Sequence, residues 1–199
     1  MYFDWFFSGT GGDKGLADWR RDNVNRLMQR CYNGIHTAKP SAKFTIAPFG
    51  LYRPCDTNGM PCSVVGLDPY SELYADALWW LRAGWVDAMI PQLYWRDQPA
   101  AQSYTALLDW WTSPEVNTLG RHIYAGNALY RIEDQDWPVS EITNQIAISR
   151  SMKDRNSLGN VHFNFNLLTR NYKGVADVFQ SETYAQPATI PEMSWLPKK

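Results

Sequence analysis

The fold is decided by the stretch Val86-Asp87-Ala88-Met89-Ile90-Pro91-Gln92-Leu93-Tyr94-Trp95, a short apolar run closed by proline, glutamine and two aromatic residues. This pattern predicts a buried strand that ends in a polar rim. A helical segment before the strand ends at Gly84, and another follows over residues 100–111. Helix, buried strand, loop and helix form the repeating unit of an α/β barrel or of a doubly wound sheet.

The same unit recurs along the chain. Strands are predicted at residues 2–7, 44–49, 86–95, 122–125, 161–165 and, weakly, 188–190. Helices are predicted at residues 18–38, from Asp68 through a buried stripe that reaches Leu81, at 100–111, from Trp137 onward and at 175–179. The repeat of roughly 40 residues matches the βα units of a (β/α)₈ barrel, although a doubly wound sheet fits the alternation equally well. In both folds, functional residues lie where the strands end.

The composition narrows the classes of function. The 19 basic and 20 acidic residues nearly cancel, so charge gives no case for binding nucleic acid or an anionic membrane. No apolar stretch is long enough to span a bilayer. The 10 Trp and 11 Tyr residues are typical of carbohydrate-active proteins, because flat rings stack on the apolar faces of sugars. A large aromatic core is the alternative, and we expect it to account for more than half of these residues.

The three cysteines allow one local disulfide and do not indicate a metal site. Cys55 and Cys62 flank a loop and can pair in an oxidising compartment, whereas Cys31 falls on the apolar face of a helix. No grouping of cysteine and histidine has the spacing of zinc ligands, so we predict neither a metal nor a cofactor.

Three phrases in order are more specific than the periodicity: Ala17-Asp18-Trp19-Arg20-Arg21-Asp22-Asn23-Val24, Ala47-Pro48-Phe49-Gly50-Leu51-Tyr52-Arg53-Pro54, and Gly84-Trp85-Val86-Asp87 leading to Trp95. Together they resemble the glycosyl-hydrolase-like 10 family of bacteria, and residues 124–130 and 159–163 are similar to its later strands. The resemblance implies a (β/α)₈ barrel, hydrolysis of a bacterial glycan such as peptidoglycan strands stripped of their peptides, no cofactor, and an extracytoplasmic location.

Family members begin with two further βα units, so the resemblance implies that this chain starts at the third strand of an incomplete barrel. The first residues read as a strand and lack the features of a signal peptide. We expect residues 1–193 to form the partial barrel and 194–199 to be a loosely held tail. An incomplete barrel has open strand edges, which favour self-association.

Glycoside hydrolysis normally needs two carboxyl groups, about 5 Å apart in retaining enzymes and about 6.5–9.5 Å apart in inverting ones. The family's third strand usually ends in two adjacent aspartates, and the phrase Phe3-Asp4-Trp5-Phe6-Phe7 keeps the first of them. We predict Asp4 as acid or base, with Asp97 as the nearest candidate for its partner. Asp87 begins its strand, so we place it on the opposite face and assign it to stability.

The predicted glycan-binding residues follow the strands. Arg53 can bind a substrate carboxylate, or pair with a loop aspartate such as Asp56. The side chains that can hydrogen-bond or stack on sugar at the strand ends are Gln92, Tyr94, Trp95, Asn127, Tyr130 and Asn164. The main prediction is therefore a glycoside hydrolase, and the alternative is a catalytically silent glycan-binding or vestigial chain.

Overall fold

A computed structural model describes residues 12–55, 59–61, 63–98 and 102–198. These residues form a mixed α/β structure around one parallel four-stranded sheet in which each strand lies beside the next one along the chain. The strands are Thr45–Ile46 (β1), Ala88–Met89 (β2), His122–Ala128 (β3) and Ser157–Phe163 (β4). A doubly wound sheet reverses its strand order at a switch point, whereas this order runs in one direction, which is consistent with part of a TIM-like barrel.

Helices connect the strands. They span Leu16–Ala38 (α1), Pro69–Glu72 (α2), Ala77–Arg82 (α3), Tyr104–Thr112 (α4), Arg131–Asp134 (α5), Val139–Ser151 (α6), Asn166–Thr169 (α7) and Val175–Val178 (α8). Short 3-10 turns occur at Lys153–Arg155 and Tyr172–Gly174, and a π-helical turn at Phe179–Thr183 continues α8. No helix of the described ranges has the length and apolar character needed to cross a bilayer.

The core lies between the sheet and its helices. Leu81 of α3, Met89 of β2, Trp111 of α4 and Ile123 of β3 are all fully buried in one cluster. A second cluster, around Ile146 of α6, continues the core toward the chain's end. Each such side chain contributes about 1.5–3 kcal/mol by leaving water. The apolar residues at helical spacing therefore form the helix faces that pack against the sheet.

Strands β1 and β2 contain only two residues each, but backbone hydrogen bonds between the two segments continue beyond both ends of the strands. The backbone N–H of Asp87 donates to Phe44 at 2.8 Å, and that of Gln92 donates to Pro48 at 2.9 Å. Gln92 also forms isolated parallel bridges on both sides. Because Pro48 and Pro91 have no N–H, the regular ladder is interrupted before the predicted strands end.

The helix predicted from Asp68 is wrong as a single element. The structure has two short helices instead, α2 and α3, separated by Tyr74 with a positive φ of 55°. Each begins at its own aspartate, since Asp68 accepts a hydrogen bond from Ser71 N and Asp76 accepts one from Trp79 N. An aspartate that caps a new helix competes with continuation of the previous one.

The strand predicted at residues 188–190 is also wrong. These residues carry no strand, and Ile190 is 77% exposed. Prolines at 187 and 191 flank the triplet and remove two backbone donors, which leaves too little ladder for pairing. The other four predicted strands that fall on described residues are confirmed in position, although their bounds differ from those predicted. The strand predicted at residues 2–7 lies outside the described residues.

The amino end of the sheet is held by a cluster that we call the Asp87 anchor. Its centre, Asp87, is fully buried. The carboxylate accepts hydrogen bonds from Phe44 N at 2.7 Å, Trp195 Nε1 at 2.9 Å and the Tyr32 hydroxyl at 3.5 Å, and His36 Nε2 lies 3.0 Å away. The expectation that residues from 194 onward are loosely held is therefore wrong at Trp195.

Candidate functional site

Three aromatic rings meet at the carboxyl ends of consecutive strands. Tyr94 follows β2, Tyr130 follows β3, and Phe163 ends β4. The ring centroid of Tyr94 lies 5.9 Å from that of Tyr130 and 6.2 Å from that of Phe163. The ring centroids of Tyr130 and Phe163 are 6.0 Å apart. A backbone hydrogen bond of 3.2 Å from Tyr130 N to Phe163 O fixes their spacing. We call these three residues the aromatic platform.

The aromatic platform offers both apolar faces and polar donors. Phe163 is 55% exposed, so its ring is open to a ligand. Burial raises the pKa of Tyr94 above its ordinary value, and the neighbouring Tyr130 raises it further. The Tyr94 hydroxyl therefore stays protonated at neutral pH and can donate a hydrogen bond. Such a surface fits a sugar, whose ring has an apolar face and a rim of hydroxyls.

A cleft of about 270 Å³ adjoins the aromatic platform. It lies between the loops that follow β2 and β3, and we call it the arginine cleft. Its lining residues are Tyr94, Trp95, Arg96, Gln98, Gln102, Arg131, Gln135 and Trp137. Tyr94 belongs to both features, so platform and cleft form one continuous surface. None of the described residues that line the cleft carries a carboxylate.

Two arginines in the cleft were not found by the sequence reasoning. The guanidinium of Arg96 lies 5.5 Å from the ring centroid of Trp137, and that of Arg131 lies 5.7 Å from the same ring and 5.4 Å from Tyr130. Each arginine directly follows a nominated residue, since Trp95 precedes Arg96 and Tyr130 precedes Arg131. Their position just beyond two strand ends was the available signal.

The predicted catalytic residues are placed differently. Asp4 lies outside the described residues. Asp97 stands in the loop after β2, where its Oδ1 accepts hydrogen bonds from Ser103 Oγ and Thr105 N, both at 2.9 Å. Burial alone raises the pKa of Asp97, but the hydrogen bonds from Thr105 and Ser103 outweigh it and lower the pKa overall. Asp97 is thus an ionised group that ties the loop to α4, and its catalytic role stays a prediction.

Arg53 and Gln92 lie apart from the arginine cleft. The Nε atom of Arg53 is 3.5 Å from Oδ2 of Asp68, and its guanidinium is 4.3 Å from the ring centroid of Tyr70. Its ion pair therefore includes Asp68, while Asp56 lies outside the described residues. Gln92 donates to Ala47 O at 2.9 Å and lines a second, apolar cavity of about 280 Å³ beside β1.

Asn127 is fully buried and supports the cleft from behind. Its Oδ1 accepts a hydrogen bond from Asn160 at 2.8 Å, and its Nδ2 donates to Gln145 at 2.9 Å. Gln145 in turn donates to the backbone oxygen of Trp95 at 3.1 Å. The same network includes Tyr104, whose pKa burial raises to about 12. Asn127 thus acts on the loop that carries Trp95 through Gln145, which the sequence reasoning did not identify.

Asn164 directly follows the platform residue Phe163. Its Oδ1 accepts a hydrogen bond from Asn166 N at 3.1 Å, which shapes the turn into α7. Asn164 is half-buried. Of the predicted glycan-binding residues, the structure brings together Tyr94, Trp95 and Tyr130 around one surface.

Comparison with known proteins adds independent information. The sequence profile described as glycosyl hydrolase-like 10 matches residues 8–140 of the chain. Glycosyl hydrolase YngK of Bacillus subtilis (strain 168) is 36% identical over 201 residues, which is 96% of this chain and 39% of that protein. Glycosyl hydrolase DigH of Escherichia coli (strain K12) is 31% identical over 135 residues, which is 65% of this chain and 30% of that protein. The chain therefore spans well under half the length of these relatives.

Proposed function

The chain belongs to the glycosyl hydrolase-like 10 family, and from this premise we propose that it forms part of a hydrolase of a bacterial glycan of the peptidoglycan type. The observation that carries the proposal is the aromatic platform at the carboxyl ends of β2, β3 and β4. In α/β barrels this end of the sheet is where active sites form. Three rings and a cleft rich in amide and guanidinium donors match the apolar faces and hydroxyls of a glycan.

In this proposal the platform and cleft hold the glycan strand. Tyr94, Tyr130 and Phe163 present ring faces on which the apolar faces of pyranose units stack. Trp95 and the glutamine amides of the arginine cleft contact a neighbouring sugar unit. Asn127 and Gln145 keep the Trp95 loop in place from the buried side, as positioning residues.

The catalytic step needs a protonated acid and an ionised base or nucleophile. The hydrogen bonds that lower the pKa of Asp97 suit it to the ionised role. Asp4 then takes the role of the acid, which protonates the leaving oxygen of the glycosidic bond. Water, activated by the ionised carboxylate directly or after a glycosyl-enzyme intermediate, completes the hydrolysis.

A second candidate function is glycan binding without turnover. It is favoured by one observation: the described residues that line the arginine cleft include neither aspartate nor glutamate. Under this alternative the chain retains the platform and the cleft but lacks a carboxylate pair at the scissile bond. Binding of peptide-free strands without release of reducing ends distinguishes the two functions.

The proposed location is extracytoplasmic. Cys55 is disulfide-bonded, whereas Cys31 is a free thiol. Disulfides persist mainly in oxidising compartments, which supports a site of action outside the cytoplasm. A thiol assay under native and denaturing conditions checks the state of the cysteines in protein isolated from its host.

Association through the outer strands of the described sheet, β1 and β4, remains a prediction. Their outward backbone groups offer a template for pairing with a second copy. Sedimentation velocity across a concentration series tests it, since a constant sedimentation coefficient up to high concentration contradicts association.

The proposed activity is tested by measuring reducing ends released from peptide-free peptidoglycan strands. The comparison includes this chain, a version extended by its flanking coding sequence, and the Asp4→Asn and Asp97→Asn variants of whichever form is active. Asp109→Asn is the matched control, because Asp109 is an exposed carboxylate of α4 paired with Arg155. We expect activity to fall by at least about 100-fold in the Asp4 variant. If the extended protein binds the strands but releases no reducing ends, the proposed hydrolase activity is contradicted and the binding function remains.

A further inference from the structure

The arginine cleft holds two guanidinium groups without a negatively charged partner. Across the parts of the chain that the structure describes, no ion pair or side-chain hydrogen bond joins Arg96 or Arg131 to another residue. Aromatic rings provide their contacts instead, with Trp137 shared by both and Tyr130 beside Arg131. Two positive charges in one small cleft are therefore available to a ligand.

Four of the carboxylates nearest along the chain are engaged elsewhere, and a fifth, Asp134 of α5, is exposed and forms no ion pair with either arginine. Glu133 forms a two-point pair with Arg170, Asp136 pairs with Lys173, Asp97 accepts from Ser103 and Thr105, and Glu141 accepts from Asp97 N and Gln145. Arg96 acts on Asp136 only at longer range, where it helps Lys173 to lower the pKa of that exposed carboxyl. The acidic groups around the cleft therefore do not neutralise it.

Arg131 has a buried polar atom that finds no partner. Its Nε is shielded from solvent and makes no hydrogen bond to any described residue. A guanidinium remains charged at all relevant pH values, so its partial burial without a counter-ion costs free energy in the unliganded protein. An anion that accepts hydrogen bonds from this group recovers the cost, and the flanking rings already hold the guanidinium in a fixed orientation.

We propose that Arg96 and Arg131 bind a carboxylate carried by the glycan, so that the cleft selects acidic sugar units over neutral ones. This inference rests on the proposed function and specifies its substrate class. A guanidinium presents two parallel donors that match the two oxygens of a carboxylate. The cleft volume of about 270 Å³ lies just below the range of about 300–1,000 Å³ typical of drug-sized ligands, which suits one sugar unit.

Arg53 is less suited than Arg96 and Arg131 to bind the glycan carboxylate. That side chain lies 3.5 Å from Asp68 and does not line the arginine cleft. Arg131, by contrast, stands between the aromatic platform and the cleft, because it contacts both Tyr130 and Trp137. A glycan stacked on the platform therefore passes directly beside Arg131.

The test compares two ligands that differ at one group of each muramic unit, an ionised carboxylate in the first and an uncharged amide in the second. One is peptide-free peptidoglycan strands, whose muramic lactyl carboxylates are free, and the other is the same strands after conversion of these carboxylates to methylamides. Binding is followed by intrinsic fluorescence, since Trp95 and Trp137 line the cleft. We expect the unmodified strands to bind on the order of tenfold to a hundredfold more tightly, the range of a hydrogen bond to a charged group.

The variants Arg131→Gln and Arg96→Gln assign this preference to residues. We expect the ratio of the two affinities to fall toward one in Arg131→Gln and partly in Arg96→Gln. Arg131→Lys keeps the charge but loses the planar fork, so its ratio should lie between those of wild type and Arg131→Gln. The ratio is measured on a single preparation with two ligands, so a loss of folded protein does not change it.

Arg30→Gln is the matched control, because it removes the same charge from an exposed position of α1. Its ratio should equal that of the wild type. Equal binding of both strands by the wild type overturns the inference and leaves the proposed function intact. Binding of neither strand overturns both. A ratio that falls in Arg53→Gln but survives in the Arg96 and Arg131 variants overturns the assignment to the arginine cleft.

Discussion

At the amino end of the sheet, the fully buried carboxylate of Asp87 accepts hydrogen bonds from Phe44 and Trp195, with His36 close by. At the carboxyl end, Arg96 and Arg131 lie against aromatic rings and have no carboxylate partner among the described residues. The charged groups at the two ends of one parallel sheet thus differ in whether they have a polar partner within the chain. Those at the first end are satisfied within the chain, and those at the second are left for a ligand.

This difference separates stability from binding. A buried carboxylate with several donors contributes to the folded state, and removal of such a group leaves its partners without hydrogen bonds. Guanidiniums without a carboxylate partner and an exposed ring are open to a ligand, which is the basis of the proposed glycan contacts. Variants at the amino end should therefore change the free energy of unfolding, and variants at the carboxyl end should change glycan affinity.

The largest expected effect is that of Asp87→Ala. Loss of the carboxylate leaves the donors of Tyr32, of Phe44 next to β1 and of Trp195 unpaired, which should lower the free energy of unfolding by about 3–5 kcal/mol. Urea unfolding followed by circular dichroism measures the change. The control is Asp22→Ala, a partly exposed ion-pairing position of α1, for which we expect less than about 1 kcal/mol. Similar values for the two variants contradict the assignment of Asp87 to stability.

A smaller loss is expected for Trp195→Ala. Its ring packs 5.0 Å from His122 and 4.5 Å from the guanidinium of Arg121, and its Nε1 donates to Asp87. The variant should lose about 3 kcal/mol of stability, while Trp195→Phe should lose only the hydrogen bond, about 1 kcal/mol. Trp79→Ala, at a 51% exposed position of α3, provides the comparison. If Trp195→Ala costs no more than this control, the tail does not fasten the amino end.

Acid should weaken the carboxyl end through His162 of β4. Burial lowers the pKa of His162 to about 4 from its ordinary 6.5, so the folded state holds the neutral ring. Between these pH values the unfolded chain takes up the proton first, and stability falls with falling pH by at most about 3 kcal/mol. Wild type and His162→Gln should therefore differ in the slope of unfolding free energy between pH 6.5 and 4. Equal slopes contradict the prediction.

Phe163→Ala should have the smallest effect on stability, but it should lower the affinity for glycan. The ring is 55% exposed, so its removal should cost less than about 1 kcal/mol of folding free energy. Affinity for peptide-free strands should fall by up to about tenfold, because one stacking surface of the aromatic platform is lost. In Trp79→Ala the affinity should not change. A Phe163 variant that is strongly destabilised but binds normally would reverse the contrast between the two ends.

The sequence predicted the positions of several features correctly because they depend on local pattern. Apolar residues at helical spacing predicted α1, and the short apolar run around Met89 predicted β2. The order of residues along β2 also placed Asp87 and Tyr94 at opposite ends of the strand, as the structure confirms. The family was likewise predicted correctly, from three short motifs that occur in a fixed order along the chain.

Other features depend on distances between segments far apart in the chain. Arg53 and Arg131 have the same side-chain chemistry, and only the fold pairs the first with Asp68 while it leaves the second beside Trp137. No local pattern indicates that Trp195 reaches Asp87, which is 108 positions earlier.

The alternation of strands and helices, the family, and the residues that follow the strand ends can all be predicted from the sequence. These follow from periodicity and order, which are local properties of the chain. The tertiary structure alone decided which charges are paired, which rings meet and which end of the sheet holds the tail. Pairing and burial are set by contacts across tens of residues, and a hydrogen bond forms only where the fold brings donor and acceptor within about 3 Å.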